Sequence, residues 1–324
     1  MMHLNKIHQQ LYDWYARHGR EDLPWRHTDD AYEIYLSEVM LQQTQVKTVL
    51  ERYYHPFLER FPSLELLAKA PLDDVLKAWE GLGYYTRARN LHACSQKTAP
   101  TLPQSYDELL ALPGIGKNTA SAICAFAYHQ PYAVMEANVK RILCRIFAHK
   151  TPEDKVLQAD ALALLDVKKP FDYNQAMMDI GAMVCTPKAP DCKCCPLRQI
   201  CKAYAENDFA YPEKKSKQVP IREERWLVRS SHDKLFLQQR KGKFLQGLWG
   251  FEKLEEGEDR GVYIGEVKQS YTHFKLRAEI YHDSVKEEDA GFFTLLEIAA
   301  LALSGVDKKV LNLLKKKEIF TSLT

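Results

Sequence analysis

Leu112-Pro-Gly-Ile-Gly-Lys-Asn-Thr-Ala120 lies between two runs of helical periodicity, Tyr106 to Ala111 and Thr119 to Tyr128, and its reading decides the fold. Gly114 and Gly116 let the backbone turn tightly and expose N–H groups at the start of the second helix, where a phosphate oxygen can be held, with Lys117 beside them. Such contacts position a nucleic acid without reading its bases. Around this turn, from Met1 to about Ala205, apolar residues recur every three or four positions, punctuated by Pro24, Pro62, Pro71, Pro103 and Pro113. Residues 1–205 are therefore expected to form an all-α domain. Within it Ser63 is placed to open one helix, and a further helix is expected over Gln45 to Phe61 after a break at Thr44.

The stretch Tyr211 to Pro220 interrupts the periodicity with two prolines and several charges, the composition of an exposed linker, taken as 206–221. Beyond it Arg225 to Arg229, Lys234 to Arg240, Tyr263 to Val267 and Leu276 to His282 read as strands, and Leu295 to Leu303 and Lys308 to Lys317 as helices. Residues 222–324 are expected to form a small α+β domain. A length of 324 residues suits two domains, and 46% apolar residues suit globular folding throughout. A formal net charge of +2 neither demands nor excludes a nucleic-acid partner, so local patches must carry that argument. No apolar stretch is long enough to span a membrane, and no signal peptide is read at the start. The expected setting is cytoplasmic, at the nucleoid, as a monomer.

Cys185, Cys192, Cys195 and Cys201 stand in the spacing C-x6-C-x2-C-x5-C behind the apolar run Ala176 to Val184. Disulfides, a zinc ion and an iron–sulfur cluster all use such cysteines. The other cysteines, Cys94, Cys124 and Cys144, lie in apolar helical segments like reduced core thiols, which argues against disulfides. Structural zinc usually takes two short pairs separated by a longer loop, whereas these four form one compact loop, 185–201, with Cys194 a bystander.

That spacing resembles the iron–sulfur loop of the endonuclease III superfamily of DNA glycosylases, and L-P-G-I-G-x-x-T-A resembles the helix-hairpin-helix of the same enzymes. Leu23-Pro-Trp-Arg26, Ser37 to Val46, Gly81 to Tyr85 and Asn174 to Ala182 narrow the resemblance to the adenine DNA glycosylase (MutY) family, over essentially the whole chain. The resemblance implies a helix-hairpin-helix glycosylase domain with a 4Fe–4S cluster on the four cysteines, plus a Nudix-like α+β lesion-recognition domain. It implies removal of adenine from double-stranded DNA where adenine is mispaired with 8-oxoguanine or guanine. The alternatives are a non-catalytic lesion-binding protein and a different mismatch or oxidised-base glycosylase of the superfamily.

Glu38 shares an apolar stripe with Ile34 and Leu41, where an ionised carboxylate is costly and the pKa rises into the range of a general acid. A glutamate capped by a neighbouring cation is the plainer reading of such a residue; within S-E-V-M-L-Q-Q-T the family reading prevails. The family usually carries Asp-Gly where this chain has Glu136-Ala137, so Glu136 is expected to serve as the second carboxylate, with Asn138 orienting it. Asn118 stands where bifunctional relatives carry a nucleophilic lysine, which implies a monofunctional enzyme. By resemblance, Trp25, Arg26 and Gln175 line the adenine pocket. Gln43, Thr44 and Tyr84 fill the base stack and hold the 8-oxoguanine side, and Thr272, His273 and Phe274 contact the lesion. Tyr85 is read as helix packing, and the lysines at 308, 309 and 315–317 as solvated helix charge. Arg222-Glu-Glu224 mimics the core of the Nudix hydrolase signature but is expected before the first strand, so pyrophosphatase activity is not expected.

Overall fold

The computed structural model describes residues 2–213, 219–255, 257–258, 260–286 and 290–319. The middle of the expected linker, 214–218, and the last residues, 320–324, lie outside them. The chain divides into two compact units, Met1–Ala68 with Ala93–Lys215, and Lys69–His92 with Ser216–Thr324.

The first unit is helical. Its centre is the helix Ala31–Leu41, begun by Asp30, whose carboxylate accepts from the Tyr32 and Glu33 amides at 2.7 and 3.4 Å. Ile34, Tyr35, Leu36, Val39 and Met40 bury nearly every face of it, as the core helix of a larger domain requires. The expected continuous helix over Gln45 to Phe61 is instead two, Val46–Arg52 and Tyr54–Arg60, broken at Tyr53 (φ −127°). Pro56 explains the break, since a continuous helix would drive its ring into the carbonyl of Arg52, whereas near a fresh helix start its missing N–H costs nothing. Ser63 does open the helix Leu64–Lys69, its hydroxyl accepting from the Leu66 amide at 3.2 Å. The hairpin joins Tyr106–Leu110 to Lys117–Phe126, two residues earlier than expected, with Gly114 in the left-handed region (φ 75°) that favours glycine. The helices Ala137–Phe147 and Pro170–Asp179, the latter running into a wider turn over Ile180–Val184, pack with Met2–His18 around Leu11, Leu143, Ala176 and Ile180.

The second unit is built on strands β1 (Ile221–Ser231), β2 (Lys234–Phe236), β3 (Gln238–Gln239), β4 (Trp249–Gly250), β5 (Glu252–Leu254), β6 (Val262–Ser270), β7 (Lys275–Ser284) and β8 (Phe292–Thr294). The main sheet runs β6-β7-β1-β2-β8, with β5 on β1, and β3 pairs β4 separately. β1 and β7 are parallel from Ile221↔Lys275 to Ser230↔Ser284, so the residues from β2 to β6 form the crossover between them. The helix Gly305–Lys316, capped by Ser304, lays Val306, Val310 and Leu314 into a core with Trp226, Val228, Leu276 and Ile280. Arg222, Glu223 and Glu224 lie inside β1 rather than before it. Residues 69–92, read as part of the first domain, pack in this unit because their polar groups find partners there. Glu80 accepts from the Leu303 amide at 2.9 Å and pairs with Lys77 and Lys308 at 2.9 Å each, and the Tyr85 hydroxyl donates to the Leu303 carbonyl at 3.2 Å.

Candidate active site

In the first unit a cavity of about 740 Å³ is lined by Glu38, Glu136, Asn118, Asn138, Trp25, Arg26, Gln43, Thr44 and Gln175, among others. Those nine residues were expected at the active site, and they come from segments scattered between positions 25 and 175. Glu38 projects from the third turn of Ala31–Leu41 beside Ile34 and Leu41. Burial first, and then the nearby Glu136, push its carboxyl up to about 8.

Glu136 is the residue before the helix Ala137–Phe147, where exposed amides favour an anion. Burial raises its carboxyl above the usual range, while a hydrogen bond from Asn138 and the charges of Arg20 and Arg141 pull it back towards ionisation. The two acids therefore differ in company. Glu38 faces apolar lining and a like charge, and Glu136 faces a helix start, an amide and two guanidinium groups. When the pair holds one proton, Glu38 keeps it.

Asn118 sits in the first turn of Lys117–Phe126, its Oδ1 buried at the cavity without a protein partner, while Lys117 is exposed and absent from the lining. Gln43 occupies the turn after Ala31–Leu41, exposed and in the left-handed region (φ 59°). Trp25 is buried edge-on against Tyr54, ring centroids 5.1 Å apart.

The sequence reading missed the groups that hold this arrangement. Asp179, fully buried, accepts from Arg26 Nη1 and Nη2 at 2.8 and 2.7 Å, and from Arg20 Nε and its amide at 2.7 and 2.8 Å. Burial alone would raise the Asp179 carboxyl, but Arg26 and Arg20 outweigh it and hold it below the usual range. Gly181 lies under Asn138: a Cβ there would stand 2.6 Å from the Asn138 Cβ. Arg141 donates to Asn138 Oδ1 at 3.0 Å, to the Gly181 carbonyl at 2.7 Å and to the Cys185 carbonyl at 2.8 Å. No local pattern marks these residues, because apart from the Arg141–Asn138 contact the partners of Asp179, Gly181 and Arg141 lie forty or more positions away in sequence.

Cys185, Cys192, Cys195 and Cys201 surround one small cavity of about 20 Å³, with Arg145 Nη1 3.3 Å from the Cys185 Sγ. Among the described residues no three His, Cys, Asp or Glu side chains are grouped to hold a single metal ion. Four thiols lining one space are the donor set that a cysteine-ligated cluster takes.

In the second unit the loop between β6 and β7 turns tightly, the Tyr271 amide donating to the Phe274 carbonyl at 2.9 Å. Thr272 and His273 are exposed at its tip, and the Thr272 hydroxyl meets the hydroxyl of Tyr84. Two residues expected on the lesion side thus touch, although 188 positions separate them. Phe274, half-buried, packs against Phe244 and Tyr271 with centroids 5.3 and 5.0 Å apart. Of the lysines read as solvated helix charge, Lys308 pairs with Glu80 and Lys309 donates to the Lys268 carbonyl at 2.6 Å.

Residues 36–166, which include Glu38, Asn118 and Glu136, match the family model described as HhH-GPD superfamily base excision DNA repair protein. In three dimensions the chain is similar to a thermostable thymine-DNA glycosylase, with a TM-score of 0.57 at 28% identity, over 61% of this chain and 94% of that one. It is 38% identical to the adenine DNA glycosylase of Buchnera aphidicola subsp. Baizongia pistaciae over 75% of this chain and 71% of that protein. To the adenine DNA glycosylase of Buchnera aphidicola subsp. Acyrthosiphon pisum it is 34% identical over 85% of this chain and 81% of that protein. The chain belongs to the adenine DNA glycosylase family.

Proposed function

We propose that this protein is a monofunctional adenine DNA glycosylase of base excision repair, acting on adenine opposite 8-oxoguanine or guanine in duplex DNA. The observation that carries the reading is the pairing of Glu38 and Glu136 in one cavity, with an amide, Asn118, where an attacking amine would have to stand.

The adenine must be turned out of the duplex before an acid can reach it. Trp25 and Gln175 line the space for the extruded base, and the exposed turn at Gln43 and Thr44 is placed to fill the gap it leaves. Glu38 donates its proton to the imidazole-ring nitrogen of adenine, so that the C1′–N bond breaks with a neutral base departing. Glu136, ionised, faces the cationic sugar and stabilises or traps it. Glu38, now a carboxylate, takes a proton from the water that adds to C1′, which restores the acid and leaves an abasic site. Glutamate for the family's aspartate at 136 keeps the charge and adds one methylene. Gly114, Gly116 and Lys117 hold a phosphate at the helix start.

Cys185, Cys192, Cys195 and Cys201 would hold a 4Fe–4S cluster in this reading, which would supply a covalent staple for the lobe behind Ala137–Phe147. Residues 222–324 serve as the Nudix-like lesion-reading domain, with Thr272, His273 and Tyr84 towards 8-oxoguanine. The chain acts as a monomer.

The test is single-turnover base release from duplexes holding adenine opposite 8-oxoguanine, adenine opposite guanine, and thymine opposite guanine, with and without alkali. The expected result is adenine release only, with strand breaks after alkali alone. Binding without release would make the chain a lesion sensor. Thymine release, or a borohydride-trapped adduct at Lys117, would assign it to another branch of the superfamily.

A further inference from the structure

Arg87 is buried to 8% exposure in the second unit, and no part of the reaction described above uses it. Its guanidinium carbon lies 5.4 Å from the Trp79 ring centroid and 5.5 Å from that of Tyr84. Its Nη2 donates to the carbonyls of Leu82 and Gly83 at 3.2 and 3.1 Å, and Trp79 Nε1 donates to the Gly83 carbonyl at 3.2 Å. Those carbonyls belong to a turn with three residues in the left-handed region, Gly81 (φ 92°), Gly83 (φ 77°) and Tyr84 (φ 48°). Glycine takes that conformation freely; tyrosine holds it only when its surroundings over-determine it. Tyr84 nevertheless leaves 43% of its surface exposed, with its hydroxyl on Thr272.

We infer that Arg87 is a positioning residue for recognition of the base opposite adenine: its guanidinium, over the rings of Trp79 and Tyr84 and bonded to the Leu82 and Gly83 carbonyls, ties down the Gly81–Tyr84 turn and so presents the Tyr84 hydroxyl to Thr272. This rests on the reading that Tyr84 and Thr272 face 8-oxoguanine. The task calls for a delocalised cation with several donors, since one nitrogen serves two carbonyls while the guanidinium lies over two rings. A lysine would keep the charge and lose both functions.

The test measures the full chain's affinity for duplexes carrying a non-hydrolysable 2′-fluoro adenine nucleotide opposite 8-oxoguanine or guanine, well below the melting temperature. The readout is the ratio of the two dissociation constants, which a general loss of stability does not move. Tyr84→Phe, Arg87→Lys and Trp79→Phe are compared, the last weakening the ring contact with Arg87 if Arg87→Lys folds poorly. Arg87→Lys is expected to reduce the preference for 8-oxoguanine about tenfold, with Trp79→Phe moving it the same way by less. A reduced preference in Tyr84→Phe with parental ratios in both Arg87→Lys and Trp79→Phe overturns the inference and leaves the lesion-side reading standing. Parental ratios in all three overturn both. Equal weakening on both duplexes in Arg87→Lys assigns Arg87 to stability alone and also overturns it.

Discussion

Glu38 and Glu136 carry the same functional group and are set to different tasks by their neighbours. Because burial and Glu136 lift the Glu38 carboxyl to about 8, the acid is protonated at neutral pH. Single-turnover adenine release should fall as pH rises through about 8, and a profile flat from pH 6 to 9 would remove Glu38 from the role of proton donor. Glu38→Gln should lower release by roughly 10² to 10⁴. The same substitution carries an opposite mark on stability. A carboxyl raised on folding is best tolerated below its ordinary range, near 4.5, and destabilises the fold increasingly as pH climbs to about 8. Thermal melts should therefore show the melting temperature of Glu38→Gln minus that of the parent growing from pH 5 to pH 8 and levelling above; a constant difference would mean the carboxyl is not desolvated. Glu38 was legible in sequence because its segment fits both an apolar stripe and a family motif. Asp179 was not, although it is fully buried, since its meaning lies in Arg20 and Arg26, more than 150 positions away.

At the scale of elements, the helix Ala137–Phe147 links the cavity to the cysteine loop. Glu136 precedes it, Asn138 opens it, and Arg141 and Arg145, one turn apart on one face, grip the Cys185 carbonyl and sulfur. This helix can lie so close to the turn Ile180–Val184 only because Gly181 has no side chain. Gly181→Ala would place a Cβ 2.6 Å from that of Asn138, so the start of the helix must shift. A displacement on the order of 1 Å costs about a hundredfold in rate, and that loss is expected in adenine release with duplex affinity largely retained. Unchanged release in Gly181→Ala would show that Asn138 does not orient the second carboxylate. Elements were legible where pattern and caps agreed, as in Leu64–Lys69, which Ser63 opens as expected. They were misread where one residue overrode the pattern: Pro56 splits a long apolar run into two helices. The short strands β4, β5 and β8 escaped notice because two or three residues hold no period, and the single strand expected over Lys234 to Arg240 is split into β2 and β3.

For the whole molecule, the two compact units make a single unfolding free energy an unsafe description, since their transitions need not coincide. The first unit draws its ends together through Asp179, which ties Arg20 and Arg26 to the helix Pro170–Asp179. Removing the buried anion while leaving two guanidinium groups behind costs about 3–5 kcal/mol, more than an exposed pair of charges can. Because Arg26 and Arg20 hold the Asp179 carboxyl below its ordinary range, its stabilisation is complete above that range and is lost as pH falls beneath it. Asp179→Asn should therefore destabilise strongly at pH 7 and differ little from the parent in strong acid. The loss should also be confined. Hydrogen exchange at pH 7 is expected to accelerate through the helices of residues 2–68 and 93–213, while β1 and β7 keep their parental protection. Equal acceleration in both units would mean that they unfold as one, and that the domain boundary read from sequence near residue 206 marks a change of architecture rather than a division of stability.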